Sequence, residues 1–186
     1  MMKRLMIWGI PLVLFLGFAA LLFSRLGENP SELPSARIGK PFPAFSLPSL
    51  LDDRPLTVAD LQGKPIVLNV WASWCPSCAE EQPALMALSR TGLPIVGLNY
   101  KDAPEDARQW LANRGNPYAA IISDQKGGLG LDLGVYGAPE TYLLDAQARV
   151  RFRYVGAFDE QVWSTRLKPC YEQLLKGGEA PACTGS

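Results

Sequence analysis

Two cysteines three positions apart, Cys75 and Cys78, are the residues in this chain best suited to redox chemistry. They follow an apolar run, Ile66 to Trp71, that is typical of a buried strand. They precede Glu80 to Arg90, where leucines among strong helix formers predict a helix. A pair at this junction lies at a helix N-terminus, where free N–H groups and the helix dipole stabilise an anion. The sequence therefore predicts Cys75 as an exposed nucleophilic thiolate and Cys78, one turn later, as its disulfide partner.

The same spacing also fits a purely structural disulfide or half of a zinc site. Zinc needs two further ligands at suitable spacing. The chain has no histidine, and its other cysteines, Cys170 and Cys183, are distant and not spaced as a second pair. We therefore expect no metal and no cofactor, while the structural disulfide stays open as an alternative. The lack of histidine also excludes Ser-His-Asp and Cys-His hydrolases.

Composition bounds the class of protein further. A chain of 186 residues with 48% hydrophobic content is long enough for one well-filled domain with appendages. Its 18 basic and 18 acidic residues cancel. This balance gives no indication of nucleic-acid binding or of a generally acidic partner.

The N-terminus has the character of a membrane segment. Leu5 to Phe23 carries no charge, Lys3 and Arg4 precede it, and Arg25 follows it. Such a run is long enough to span a bilayer, and the excess of cations before it places the N-terminus in the cytoplasm. The alternative is a cleaved secretory signal with a site near Gly17-Phe18-Ala19. Either interpretation places the following domain in an oxidising compartment.

Strands and helices are predicted to alternate along the rest of the chain. Residues 1–24 are predicted as the anchor, 25–39 as a linker, 40–176 as the domain and 177–186 as a tail. Apolar runs predict strands over 66–71, 95–99, 119–122, 140–145 and 150–155. Helices are predicted after Cys75, over 103–115 and over 159–176, with a turn-rich loop over 124–130. This order predicts an α/β fold, a central mixed sheet flanked by helices.

Several motifs resemble one known family. Trp-Cys-Pro-Ser-Cys after an apolar strand, with a proline far downstream ahead of a hairpin, resembles thioredoxins. More detailed matches are Asn69 to Cys75, Gly97 to Lys101, Gly115 to Tyr118 and Leu131 to Thr141. Over residues 38–176 these segments resemble the cytochrome c maturation thioredoxins, the CcmG or DsbE family. The resemblance implies a thioredoxin-like fold carried by one N-terminal transmembrane helix.

The resemblance also implies a function. It is that of a periplasmic, membrane-anchored thiol-disulfide reductase that keeps cysteines of apocytochrome c, or of its maturation partners, reduced for haem attachment. The implied electron donor is a transmembrane thiol reductase of the DsbD or CcdA kind, and the implied acceptors are a CcmH-like protein, apocytochrome c or both. The implied location is the inner membrane, in single-pass orientation. The alternatives are a general reductase of the TlpA or ResA type and a non-catalytic thioredoxin-fold interaction module.

A substrate groove follows from the same resemblance. Pro139 is expected to be cis and to lie opposite the cysteine pair, where its flanking backbone can pair with an extended substrate. Trp74, Tyr136 and Glu140 are expected to line this groove. For Trp74 and Tyr136 a position in the core is the alternative.

The group that accepts a proton from the resolving thiol is harder to assign. Ordinary thioredoxins carry a buried acid six residues before the first cysteine, and here that position is Asn69, which does not titrate. Glu81, one turn beyond Cys78, and Glu140, beside Pro139, are the candidate acid/base groups. A negative charge near a thiol raises its pKa, so Cys75 is expected to be less acidic than in strong oxidants.

Cys170 and Cys183 lie outside the family motif, near and after the end of the last predicted helix. In an oxidising compartment a structural disulfide between them would tie the tail to that helix. Closing this loop would stabilise the fold by ~3 kcal/mol in the chain-entropy model. Free or intermolecular thiols and a second redox centre are the alternatives.

Overall fold

The computed structural model describes residues 2–25 and 37–177 and, in the first of these segments, the side chains of residues 11–23. The chain divides into two units, Met1–Pro30 and Ser31–Ser186. In the first unit, helix α1 spans Met2–Arg25. Among the described residues, no helix is both long and apolar enough to cross a membrane. Most of the predicted linker and nearly all of the predicted tail lie outside the described residues.

The second unit contains a short hairpin and a five-stranded mixed sheet. The hairpin is β1 and β2, Ser46–Pro48 and Pro55–Thr57. The sheet strands are β3 Ile66–Trp71, β4 Ile95–Tyr100, β5 Ala120–Asp124, β6 Glu140–Leu144 and β7 Val150–Val155. Their spatial order is β5-β4-β3-β6-β7, with β3, β4 and β5 parallel and β6 antiparallel to both neighbours. Strand β3 is therefore central, and it is buried along its whole length.

Helices connect and cover these strands. Helix α2, Pro76–Ser89, joins β3 to β4, and α3, Pro104–Arg114, joins β4 to β5. The short helix α4, Gly128–Leu133, follows β5. The last helical segment comprises α5 Glu160–Val162, a π-helical turn Trp163–Leu167 and α6 Lys168–Leu175. This is the thioredoxin-like α/β fold that the sequence predicts.

The prediction of a loop over residues 124–130 is wrong in its second half, where α4 begins. The glycines of this segment indicated turns. Gly130 instead allows the helix to pack closely against the Tyr100 ring, which a Cβ at this position would clash with. The Gly130 N–H donates to Asp124 Oδ2 at 2.8 Å, and Leu129 and Leu133 are buried. Apolar burial and this hydrogen bond thus outweigh the weak helix propensity of glycine.

Two apolar clusters follow the alternation of side chains along the strands. On β3, Val67 and Trp71 belong to one cluster, whereas Leu68 and Val70 belong to the other. This division is expected because successive side chains of a strand point to opposite faces. The first cluster also contains Cys75 and Cys78. The redox pair is therefore placed on one defined face of the sheet.

Candidate active site

A disulfide joins Cys75 and Cys78 at the start of α2, with their Cα atoms 5.4 Å apart. Cys75 is the N-cap residue of the helix, and Pro76 occupies its first turn. The Cys78 backbone N–H donates to Cys75 Sγ at 3.1 Å. After reduction the same N–H is placed to stabilise a thiolate on Cys75, as free amides at helix N-termini do for anions.

The cysteines are less accessible than the sequence indicated. Cys75 was expected to be exposed, yet it is 3% exposed, and Cys78 is 1% exposed. Both belong to the apolar cluster that fills one face of the sheet. The expectation of an exposed Cys75 is therefore wrong for the oxidised form.

Pro139 lies immediately before β6, which is the neighbour of β3, the strand that leads to the cysteines. The Ala138–Pro139 peptide bond is cis, as the resemblance implies. Strand β6 starts just after it, and Glu140 pairs with Val70 near the end of β3. Ala138 packs against the cluster that contains both cysteines. The segment before β6 and the redox pair thus both contact the same apolar cluster.

Two aromatic side chains predicted for the groove are largely exposed. Trp74, next to Cys75, is 54% exposed, and Tyr136 is 70% exposed. A hydrogen bond from Trp74 Nε1 to the carbonyl of Lys101, 2.9 Å long, holds the indole. The alternative that these residues are part of the core is therefore not supported, and both rings are accessible to a partner.

Glu140 differs from the prediction that it lines the groove. The residue is fully buried, and Arg153 Nη2 lies 2.8 Å from its Oε1. Tyr142 OH donates to Oε2 at 2.6 Å. Both carboxylate oxygens are already engaged by donors from within the protein. The acid/base role predicted for Glu140 is thus not supported by its surroundings.

Glu81 has the environment of a proton acceptor. It lies one turn after Cys78 on α2 and is 1% exposed. Burial raises the pKa of its carboxyl from 4.5 to about 8, although hydrogen bonds from Asn69 and the Phe158 N–H act to lower it. The Asn69 Nδ2 group donates to Glu81 Oε1 at 2.8 Å, and Tyr118 OH donates to Asn69 Oδ1 at 2.8 Å. Asn69 therefore orients the carboxyl, and Glu81 is the group that titrates.

Asp102 is a functional candidate that the sequence pattern did not reveal. It follows β4 and is 5% exposed. Its carboxylate accepts hydrogen bonds from the Ser73 N–H at 2.6 Å and the Ser73 hydroxyl at 2.7 Å. It also accepts one from Asn99 Nδ2 at 2.8 Å. Asp102 thus fixes the backbone two residues before Cys75, a long-range contact without a local sequence signal.

Replacing Asp102 with alanine is expected to lower the free energy of unfolding by ~1–3 kcal/mol, because the partly buried Ser73 donors and the buried Asn99 amide lose their acceptor. Urea unfolding of the oxidised protein measures this change. Asp132→Ala, an exposed position on α4, is the control and is expected to change stability by less than ~0.5 kcal/mol. Equal stability of the Asp102 variant and the parent would contradict the positioning role.

Cys170 lies away from the Cys75–Cys78 pair along the chain, on α6. It is 4% exposed and is disulfide-bonded. Cys183 lies outside the described residues, so its pairing with Cys170 stays a prediction. Among the described residues, no group of three or more His, Cys, Asp or Glu side chains is placed to hold a metal ion.

Comparisons with known proteins agree with this site. The family described as Redoxin matches residues 37–168, a segment that contains both cysteines and Pro139. The thiol:disulfide interchange protein DsbE of Pseudomonas aeruginosa is 55% identical over 96% of this chain and 99% of its own length. The Escherichia coli K12 protein of the same name is 48% identical over 90% of this chain and 94% of its own. A crystal structure of a putative DsbE from Chlorobium tepidum is similar, with a TM-score of 0.58 and 26% identity over 74% of this chain and 94% of that one.

Proposed function

This chain belongs to the DsbE family of thiol:disulfide interchange proteins, and from that premise we propose that it reduces cysteines of apocytochrome c or of its maturation partners before haem attachment. It is a thiol:disulfide oxidoreductase with the Cys75–Cys78 pair as its redox centre. The reducing direction and the cytochrome substrate are the proposal. The observation that carries the direction is the burial of Cys75 in an apolar cluster, where a thiolate is poorly solvated.

The reaction begins with the reduced pair. The Cys75 thiolate attacks one sulfur of the substrate disulfide, a mixed disulfide forms, and the other substrate sulfur leaves as a thiolate. Cys78 then loses its proton, attacks Cys75 Sγ and releases the second substrate thiolate. The substrate gains two electrons, and this protein ends with the disulfide that the structure contains. A transmembrane thiol reductase of the DsbD or CcdA kind is the proposed source of the next two electrons.

Glu81 is the group that we assign to the proton of Cys78. Residues three positions apart on a helix are neighbours, so Glu81 follows the resolving cysteine on the same face of α2. Its pKa of about 8 lies close to the ordinary pKa of a thiol. A proton therefore moves between the two groups at little cost near neutral pH. Asn69, which donates to the carboxyl, keeps it aligned.

The weak stabilisation that the site offers a thiolate supports the reducing direction. A strong oxidant of this fold has a stabilised thiolate, because stabilising the reduced form makes the disulfide easier to reduce. Here one N–H, that of Cys78, contacts Cys75 Sγ. Burial of Cys75 disfavours the anion. The disulfide is accordingly favoured, and the dithiol gives up its electrons readily.

Membrane attachment and a periplasmic location are part of the proposal. Their support is the uncharged run Leu5 to Phe23, flanked by cations, together with the helical conformation of Met2–Arg25. A tether of this kind would keep the domain close to a donor embedded in the same membrane. A CcmH-like protein and apocytochrome c are the proposed acceptors, and the protein is proposed to face the periplasm.

The proposal is tested by trapping thiols in cells whose outer membrane alone has been permeabilised. A mass-tagging alkylator that does not cross the inner membrane is expected to label Cys75 and Cys78, because the pair is accessible from the periplasm and kept reduced. Cells that lack the transmembrane donor are expected to hold the pair oxidised, since disulfides persist in this compartment. Labelling only after lysis would contradict the location.

The same experiment separates the alternatives. A pair that is oxidised even with the donor present would contradict the reducing role and favour an oxidant or a structural disulfide. A reduced pair in wild-type cells, together with normal cytochrome c assembly in cells that lack this protein, would favour a general reductase of the TlpA or ResA type. Normal assembly supported by a Cys75→Ser chain would favour a non-catalytic interaction module.

A further inference from the structure

A buried ion pair lies directly behind the segment that contains the cis proline. Arg153 on β7 and Glu140 on β6 meet through two contacts, Nε to Oε2 at 2.9 Å and Nη2 to Oε1 at 2.8 Å. Their side chains are 2% and 0% exposed. This planar, two-point geometry fixes the carboxylate relative to the sheet more firmly than a single contact would.

The carboxylate of this pair also binds the backbone on the other side of Pro139. Glu140 Oε1 accepts hydrogen bonds from the Tyr136 N–H at 2.7 Å and the Gly137 N–H at 3.3 Å. One side chain after the proline thus fixes two peptide groups before it. The path of residues 136–140 is therefore set by the same carboxylate that Arg153 orients.

The guanidinium of Arg153 has a second contact that reaches the surface. Its central carbon lies 4.3 Å from the centroid of the Tyr136 ring, and that tyrosine is 70% exposed. A cation over an aromatic face is attractive, and it is more so when the cation is desolvated, as here. One face of the ring is held by a buried charge, and the exposed remainder is left for a partner.

We propose that Arg153 is a positioning residue for partner recognition: it holds the Tyr136 ring and the cis-proline segment so that they bind the polypeptide beside a substrate disulfide. The partner chemistry that fits is an extended peptide with an apolar or aromatic side chain next to its cystine, which packs on the exposed ring of Tyr136. A small disulfide has no side chain to place there. The inference rests on the proposed reductase function and adds the determinant of its substrate class.

The variants Arg153→Lys, Tyr136→Ala and their combination test this role. Lysine keeps the charge that Glu140 needs but lacks the planar fork and its stacking on Tyr136. Tyr136→Ala removes an exposed ring and leaves the buried pair in place, so its folding is not at risk. Arg151→Lys is the matched control, because Arg151 lies two residues earlier on the same strand and pairs with Asp145 instead.

Each protein is first reduced, and its rate of reducing two probes is then measured. One probe is a peptide with an intramolecular Cys-x-x-Cys disulfide beside a phenylalanine, and the other is hydroxyethyl disulfide. Arg153→Lys and Tyr136→Ala are each expected to raise KM for the peptide by about ten-fold with a smaller change in kcat. The ratio of peptide to small-disulfide kcat/KM is expected to fall by a similar factor. The double variant is expected to lose clearly less than the sum of the two single losses, because both changes act in part through the Tyr136 ring.

A purely structural role for Arg153 would slow both probes equally, and that result would overturn the proposal. Additive losses in the double variant, or a Tyr136→Ala protein that keeps the parental ratio, would also overturn it. The Arg151→Lys control is expected to match the parent with both probes. Failure of the parent itself to reduce either probe would overturn the proposed function and this inference together, so the two failures are distinguishable.

Discussion

A chain with Cys75→Ser is expected to lose thiol–disulfide exchange by roughly a thousand-fold or more, since no other described thiol can replace the attacking sulfur. A chain with Cys78→Ser is expected instead to stop halfway. Its Cys75 still attacks a substrate disulfide, but the mixed disulfide is not resolved. The covalent adduct then accumulates and identifies the partner by mass. The two cysteines are thus expected to give opposite phenotypes although they belong to one disulfide.

Separate measurements check each half of this prediction. Stopped-flow exchange with a peptide disulfide measures the loss in the Cys75 variant, and non-reducing gels of whole-cell extracts show the adduct of the Cys78 variant. Both variants also lose the disulfide itself, so a Cys75→Ser/Cys78→Ser chain serves as the control for stability. Adducts formed by Cys75→Ser rather than by Cys78→Ser would reverse the assigned order of the two cysteines. Adducts in neither chain would argue for a structural disulfide.

The sequence predicted the central elements well because their signals are local. The bounds of β3 were predicted as Ile66 to Trp71 and are observed there, since a strand covered on both faces is a continuous apolar run. Helix α4 was missed because the two glycines at 128 and 130 indicated turns, while the burial of Leu129 and Leu133 depends on a distant surface. Propensity alone does not contain that tertiary contribution.

The same division between local and distant signals applies to the site. Cys75 and Cys78 were predicted from spacing and from the strand–helix junction, which the structure confirms as their location. The contact of Asp102 with Ser73 spans 29 positions, and that of Arg153 with Glu140 spans 13. No pattern in the sequence pairs these residues. The burial of Cys75 was equally unpredictable, because a helix N-terminus is exposed or covered according to what packs against it.

The stability of the oxidised protein is expected to fall by about 4 kcal/mol between about pH 5 and about pH 9, because Glu81 has a pKa of about 8 in the folded chain and about 4.5 when unfolded. In this window the folded state holds a proton that the unfolded state has released. The stability that Glu81 contributes is therefore fully present below the pKa of the unfolded chain and is lost as the pH rises through the pKa of the folded chain. Using the oxidised form keeps the thiols of Cys75 and Cys78 out of the titration.

Glu81→Gln is expected to remove this slope, because glutamine resembles the protonated carboxyl and does not titrate. At about pH 5 the variant is expected to match the parent within ~1 kcal/mol, the cost of the weakened contact with the Phe158 N–H. At about pH 9 it is expected to be the more stable of the two. Glu80→Gln, the exposed neighbour on α2, is the control and keeps the parental slope. Urea unfolding across this pH range is the measurement, and equal slopes for parent and Glu81→Gln would contradict both the raised pKa and the role of Glu81 as the proton acceptor for Cys78.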